Sequence, residues 1–318
     1  MSDQMIAVDL FAGAGGLSEG LHRAGYRTAF AADFDEQAVG TYRHNHPDVQ
    51  AKVADVAGLT ARDVLDGSEL GHGDIDLLAG VPPCQGFSLA GRRLPNDPKN
   101  RLFVQFLRLA QELQPKAILM ENVPGIQSMQ RGLVVDAIEN TVREMGYSVK
   151  TGVLNAAEFG VPQSRKRFIM IALRDGSTPS LPTPTHTGGA ITDEVALFDD
   201  LLPTPSVRDA LSDLPTFGQG QGGEVLEHPG GYYNQFQKDR QGTRHPGSLF
   251  NHRATRHSER IVARYELIPP GRDNGAVPEE HRTKKINVFR LDPDAPARTV
   301  TCNFRTDLIH PWIPRGLT

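Results

Sequence analysis

The feature that most constrains this chain is an alternation, over its first 175 residues, of short apolar runs with segments of helical spacing. "MIAVDLF" (5–11), "TAFAA" (28–32), "IDLLAG" (75–80), "AILME" (117–121) and "RFIMIAL" (167–173) are apolar continuously rather than at every second position. That is the pattern of strands buried on both faces. Between them, 17–24, 35–44, 101–113 and 131–145 carry helical periodicity. In 101–113 the residues Leu102, Phe103, Phe106, Leu109, Ala110 and Leu113 mark one face. The alternation predicts an α/β fold, a doubly wound and mainly parallel sheet with helices on both sides.

Composition then changes. From Asp175 to Pro205 the chain is rich in Thr, Pro, Ser and Gly, which reads as a loop or linker. "SVRDALSDLP" (206–215) reads as a short helix with Ser206 as N-cap and Asp209 three residues on. Residues 216–318 are dense in Gly, Arg and His, with one helix expected around "RHSERIVARYELI" (256–268). Three parts follow: a domain over 1–178, a linker with its short helix over 179–214, and a second, smaller, irregular domain over 215–318. The net charge is −4, yet residues 231–318 hold 15 Lys and Arg against 9 Asp and Glu. A local basic excess suits a polyanionic partner, although a solvated basic face would account for charge alone. No apolar run reaches membrane-spanning length, and "MSDQMIAVDL" lacks a basic region followed by an apolar stretch, so no membrane partner is expected; two cysteines, too few for a disulfide framework, read as a protein of the reducing cytoplasm. Cys84 and Cys302 are too few for a disulfide framework or a zinc site, and the histidines, His245, His252 and His257 among them, show no metal-ligand spacing; no metal is expected. Cys302, in "RTVTCNF", reads as a packed residue of a short strand.

Three stretches carry chemistry. In "DLFAGAGGLSEGL" (9–21), Gly13, Gly15 and Gly16 leave a strand and open a helix, so backbone N–H groups can approach a ligand. The spacing is not Gly-x-Gly-x-x-Gly. Asp33 follows Gly13 by 20 residues at the end of the second strand, where a carboxylate can accept from ribose hydroxyls; Phe34 could stack on an adenine ring, and Asp55 could meet its edge. A tight turn with a surface carboxylate is the plainer reading. In "GVPPCQGFS" (80–88), two prolines aim Cys84, and Gly86 and Gly91 follow. A reactive thiol there would meet Glu121 of "MENV", because both sit just past strands at the edge where open α/β sheets bind ligands. A buried thiol and a solvated carboxylate are the alternatives. In "FGVPQSRKRFIMIA" (159–172), Arg165 and Arg167 flank Lys166 and project to one side, suited to a planar acceptor or phosphate, or to carboxylates at the sheet edge.

With "DLFAGAGG", "PPCQGFS", "ENV" and "PQSRKR" in that order, the chain resembles the cytosine-C5 DNA methyltransferases of bacterial restriction–modification systems, from residue 5 to residue 318. The resemblance implies a Rossmann-like, S-adenosylmethionine-dependent fold whose second domain recognises a target in duplex DNA. Phe11, Gly13, Gly15, Asp33, Phe34, Asp55 and Pro83 would hold the cofactor. Cys84 would attack C6 of a flipped-out cytosine, Glu121 would keep N3 protonated, and Arg165 and Arg167 would bind the base and its surroundings. Gln85–Asn100, with Gly86, Gly91, Arg92, Arg93 and Lys99, looks like a loop that closes over the base; Gln85, Ser88, Arg92, Arg93, Arg240, Arg244, Arg253 and Arg256 are the DNA contacts expected. The final "HPWIPRGLT" looks like the opening of the family's ninth motif. The expectation is a C-terminally shortened enzyme, weak alone, that takes a complementary C-terminal fragment or subunit as partner. Other readings keep the reaction but act on tRNA, bind without methyl transfer, or use a nicotinamide on the glycine loop alone.

Overall fold

The computed structural model describes residues 4–68, 70–83, 102–188, 200–240, 247–285 and 287–318. The chain divides into two compact units, one of residues 1–154 and 166–182, the other of residues 155–165 and 183–318. The second thus takes in 155–165, which the division read from sequence had placed within 1–178.

In chain order the elements are β1 (Ile6–Leu10), α1 (Gly16–Arg23), β2 (Arg27–Asp33), α2 (Glu36–Asn45), β3 (Gln50–Val53), α3 (Ala61–Ser68), β4 (Leu77–Gly80), α4 (Leu102–Leu113), β5 (Ala117–Asn122), α5 (Leu133–Glu144), β6 (Ser148–Asn155), β7 (Gln163–Ser164) and β8 (Lys166–Leu173). All but β7 of these strands form one sheet, in the order β3-β2-β1-β4-β5-β8-β6. The pairs from β3 to β5 are parallel, and β8 runs antiparallel to β5. Each of the five apolar runs becomes a strand of this sheet.

Side-chain alternation divides the core between the two faces. Val8 and Leu10 of β1 join Phe30, Leu78, Ile118 and Met120 beneath Val64 of α3, Phe106 and Leu109 of α4 and Ile138 of α5. Ala7 of β1 points the other way, with Leu77, Ala79 and Leu21 of α1. Val39 and Tyr42 of α2 pack on Ala31 and Ala51 on that side. The sheet is doubly wound, as the sequence predicts. The close fit shows at Gly80, where a Cβ would lie 2.6 Å from the Phe106 ring and 3.0 Å from the Leu10 carbonyl oxygen.

The second unit continues with α6 (Val207–Leu211), β9 (Gly222–Glu227), α7 (Gln235–Arg240), β10 (Ser248–Arg253), α8 (Glu259–Leu267), β11 (Phe289–Arg290), β12 (Ala297–Arg298), α9 (Phe304–Asp307) and β13 (Leu308–Ile309). Helix α6 starts as expected: the Ser206 side chain accepts from the Asp209 N–H while the Asp209 carboxylate accepts from the Ser206 N–H. Strands β9 and β10 pair antiparallel. Small apolar clusters, one around Tyr265, Ile268, Val277, Val288 and Ile309 and one around Val207, Leu291, Ala297 and Leu308, replace a single large core. Arg315 is fully buried and donates to the carbonyls of Phe217 (2.8 Å) and Gly316 (2.8 Å), so its charge is solvated by backbone oxygens. Cys302 corrects the sequence reading: it is exposed and lies in a turn ahead of α9 rather than packed in a strand. Among the described residues no helix is long and apolar enough to cross a membrane.

Candidate active site

The strand order turns back at β1, with β2 and β3 on one side and β4 and β5 on the other. In an open α/β sheet that reversal leaves a crevice at the carboxyl ends of the central strands. The glycine loop leaves β1 and the Pro82-Pro83 segment leaves β4, so both motifs emerge at this crevice.

The glycine loop is held in an unusual backbone path. Phe11 (φ 58°), Gly13 (φ 55°) and Gly15 (φ 93°) all lie in the left-handed region, which is costly for an aromatic residue such as Phe11. Asp33, at the end of β2, anchors the turn. Its Oδ2 accepts from the Gly13 N–H (2.9 Å) and its Oδ1 from the Asp35 N–H (2.9 Å). The expectation assigned this carboxylate to a ribose; in the structure it accepts from two backbone N–H groups, and each oxygen retains a further lone pair. Among the described residues, a Cβ added at Gly13 or Gly16 would meet nothing within 4 Å, whereas one at Gly15 would lie 2.6 Å from the His46 ring. One side of the loop is therefore open and the other is backed. Phe34 is 73% exposed, and Asp55 is exposed with its Oδ1 accepting from the Ala57 N–H (2.9 Å). Phe11 and Pro83 are half-buried.

At the next strand ends, Glu121, the last residue but one of β5, pairs with Arg167 of β8, Nε to Oε1 at 2.7 Å, both side chains about four-fifths buried. Arg167 thus takes the carboxylate reading and not that of a free guanidinium aimed at phosphate. Arg165 ends the segment 155–165 of the second unit, where its N–H donates to Asn155 Oδ1 (3.0 Å) and its carbonyl accepts from the Ala156 N–H (3.0 Å). Sequence reasoning missed Asn122. Buried beside Glu121, its Nδ2 donates to the Pro82 carbonyl (3.0 Å) and its Oδ1 accepts from the Val123 N–H (2.8 Å), tying the loop after β4 to the loop after β5. Its position in "ENV" was the available signal. Cys84, Gln85, Ser88, Arg92, Arg93 and Arg244, with the rest of Gln85–Asn100, lie outside the described residues. Arg240, Arg253 and Arg256 are exposed on the second unit, Arg240 stacked 5.2 Å from the Phe236 ring centroid and Arg253 4.0 Å from Glu224.

Beneath the glycine loop lies a buried polar chain that the sequence did not announce. Tyr42 Oη donates to Ser18 Oγ (2.7 Å), and Ser18 Oγ donates to Asp9 Oδ2 (2.6 Å). Burial pushes the Asp9 carboxyl up to about 7, against the Ser18 hydrogen bond and with a smaller push from Asp33. Burial likewise raises the Tyr42 hydroxyl to about 12, so it stays a neutral donor. The folded chain therefore keeps a proton on Asp9 that an unfolded chain releases near pH 4. Asp9 favours folding most at low pH, and that contribution is lost as pH rises through about 7. Between pH 5.5 and 8 the loss is about 2 kcal/mol. Urea unfolding of the wild type and Asp9→Asn at both pH values checks this: the wild type should lose that much more than the variant, and equal slopes would count against it.

A doubly wound sheet, an open glycine loop with an acidic anchor at the reversal point, and a carboxylate–arginine pair at the adjoining strand ends define an α/β enzyme that works on a substrate beside a nucleoside cofactor. The chain belongs to the C-5 cytosine-specific DNA methylase family, whose model matches residues 5–289. It is 36% identical to the Type II methyltransferase M.DdeI of Desulfomicrobium norvegicum, over 99% of this chain and 76% of the relative. It is 32% identical to the Type II methyltransferase M1.HphI of Haemophilus parahaemolyticus, over 94% of this chain and 71% of the relative. Among solved structures, a candidate DNA modification methyltransferase encoded within an E. coli prophage superposes with a TM-score of 0.76 at 27% identity, covering 98% of this chain and 85% of its own.

Proposed function

We propose that this chain transfers a methyl group from S-adenosylmethionine to C5 of a flipped-out cytosine at a specific sequence in duplex DNA, as the modification enzyme of a restriction–modification system. The observation that carries the reading is the Glu121–Arg167 pair at the end of β5, beside the Asn122–Pro82 hydrogen bond that ties the "PPC" loop to "ENV".

The open face of the glycine loop, the buried Asp33 and the exposed Phe34 ring fit a nucleoside cofactor with a charged tail. Gly13, Gly15, Asp33, Phe34 and Asp55 would hold it, with Phe11 and Pro83 shaping the pocket. Bound there, S-adenosylmethionine supplies an electrophilic methyl group. The rest is the chain's own work. Cytosine C5 is a poor nucleophile until the Cys84 thiolate adds at C6, and Glu121 supplies the proton at N3 that absorbs the charge pushed into the ring. Once C5 is methylated, its proton passes to a solvent base, the thiolate leaves C6 to restore the ring double bond, and N3 returns its proton to Glu121. Arg167 holds the Glu121 carboxyl in one orientation. Taking the base out of the stack costs a few kcal/mol, and Arg240, Arg253 and Arg256, in the basic stretch 231–318, offset part of this through phosphate contacts. The second unit is the target-recognition part of this reading.

Trapping decides the reading. Duplex DNA with 5-fluorocytosine at the target should form a covalent adduct with the wild-type chain in the presence of S-adenosylmethionine, and Cys84→Ser should form none. An adduct that survives the substitution, or methyl transfer confined to tRNA in a parallel tritium assay, would overturn it.

A further inference from the structure

We propose that Tyr42 and His46, with Ser18, are positioning residues for the cofactor: they clamp the glycine loop from behind and so shape the face that the cofactor meets. The proposal rests on the cofactor reading above and names residues outside the family motifs on which that reading was built.

The clamp is visible atom by atom. The Gly15 carbonyl accepts from the Glu19 N–H (2.9 Å), which starts α1, and faces His46 Nε2 at 3.2 Å. A carbonyl oxygen only accepts, so Nε2 must carry the hydrogen. His46 packs against the Tyr42 ring, centroids 4.8 Å apart. A Cβ at Gly15 would approach that imidazole at 2.6 Å and the Tyr42 ring at 3.0 Å, so the two rings fill the space behind the loop. Tyr42 is oriented in turn through Ser18. A serine hydroxyl has one hydrogen, which goes to Asp9, so the Tyr42 hydroxyl must be the donor to Ser18. The chain runs from β1 through α1 and α2 to the carbonyl of a residue whose φ is 93°. None of these side chains is on the open side at Gly13 and Gly16. They can affect a ligand there only by holding the loop's shape, as support for a preorganised site.

Isothermal titration of the full chain with S-adenosylmethionine, without DNA, tests this beside thermal unfolding and duplex-DNA binding. Tyr42→Phe removes the hydroxyl and His46→Phe the Nε2 donor, each with a ring kept. Each should weaken cofactor binding about tenfold, the equivalent of one net hydrogen bond, with DNA affinity changed less than about twofold. Thr41→Ala, on the exposed side of α2, should change neither. If Tyr42→Phe does not fold, His46→Gln, which keeps an N–H donor, should recover most of the affinity that His46→Phe loses. Lowered melting temperatures with cofactor affinity within about twofold of wild type would show a purely structural role and overturn the proposal. Failure of the wild type to bind S-adenosylmethionine would instead strike the functional reading itself.

Discussion

Glu121→Gln should lower kcat for cytosine methylation by roughly 10²- to 10⁴-fold, the range spanned by a positioned general acid, while leaving cofactor affinity near wild type. The substitution conserves shape but removes the proton that N3 needs when a thiolate adds at C6. It also removes the carboxylate that Arg167 faces at 2.7 Å, leaving a guanidinium about four-fifths buried to be met by the amide oxygen and the Lys166 carbonyl. Some loss of stability should accompany the loss of rate. Single-turnover kinetics at saturating cofactor and DNA separate the two effects. A variant that turns over within about tenfold of wild type would remove Glu121 from the chemistry, and the pair with Arg167 would be no more than a strand-end ion pair.

Gly15→Ala should abolish measurable cofactor binding and lower stability by about 3 kcal/mol or more, the sum of a left-handed alanine and an overpacked contact. Two independent obstacles meet at this position. The backbone sits at φ 93°, which an L side chain rarely adopts, and the new methyl would lie 2.6 Å from the His46 ring. The first cannot be relieved without moving the loop, and the second only by turning the buried His46 ring away from the Gly15 carbonyl. Gly16→Ala provides the contrast, since a Cβ there meets none of the described residues within 4 Å. Its fold should survive while the methyl projects into the open side, so any loss at Gly16 should appear in cofactor affinity and not in the melting temperature. Equal melting temperatures for the two variants would contradict the packing described for Gly15.

Residue pattern alone carried the sheet's centre. Strands β1, β2, β4, β5 and β8 lie inside the sheet, and helices cover both of its faces, so these strands carry continuous apolar runs. The two strands it missed, β3 and β6, are the sheet's edges. "QAKV" is four residues long, and "SVKTGVLN" is only partly buried, so neither leaves a continuous apolar signal. Helix α3 escaped for a related reason, being eight residues with Gly67 near its end. Local chemistry was equally legible where it is local: Ser206 and Asp209 close a capping box three residues apart.

What the sequence by itself determined is therefore the fold class, the family motifs and the residue types the reaction needs. Only the tertiary structure decided which of them meet. Asp33 anchors Gly13 across 20 residues, Asn122 holds Pro82 across 40, and Tyr42 reaches Ser18 across 24. Arg167 turned to Glu121, one of two targets the sequence had left open. The physical reason is common to all four. Each partner sits on a different element, and the order in which strands pair, with the reversal at β1, sets which strand ends face one another. Periodicity reports how buried a residue is, and it carries no information about the residue across the crevice.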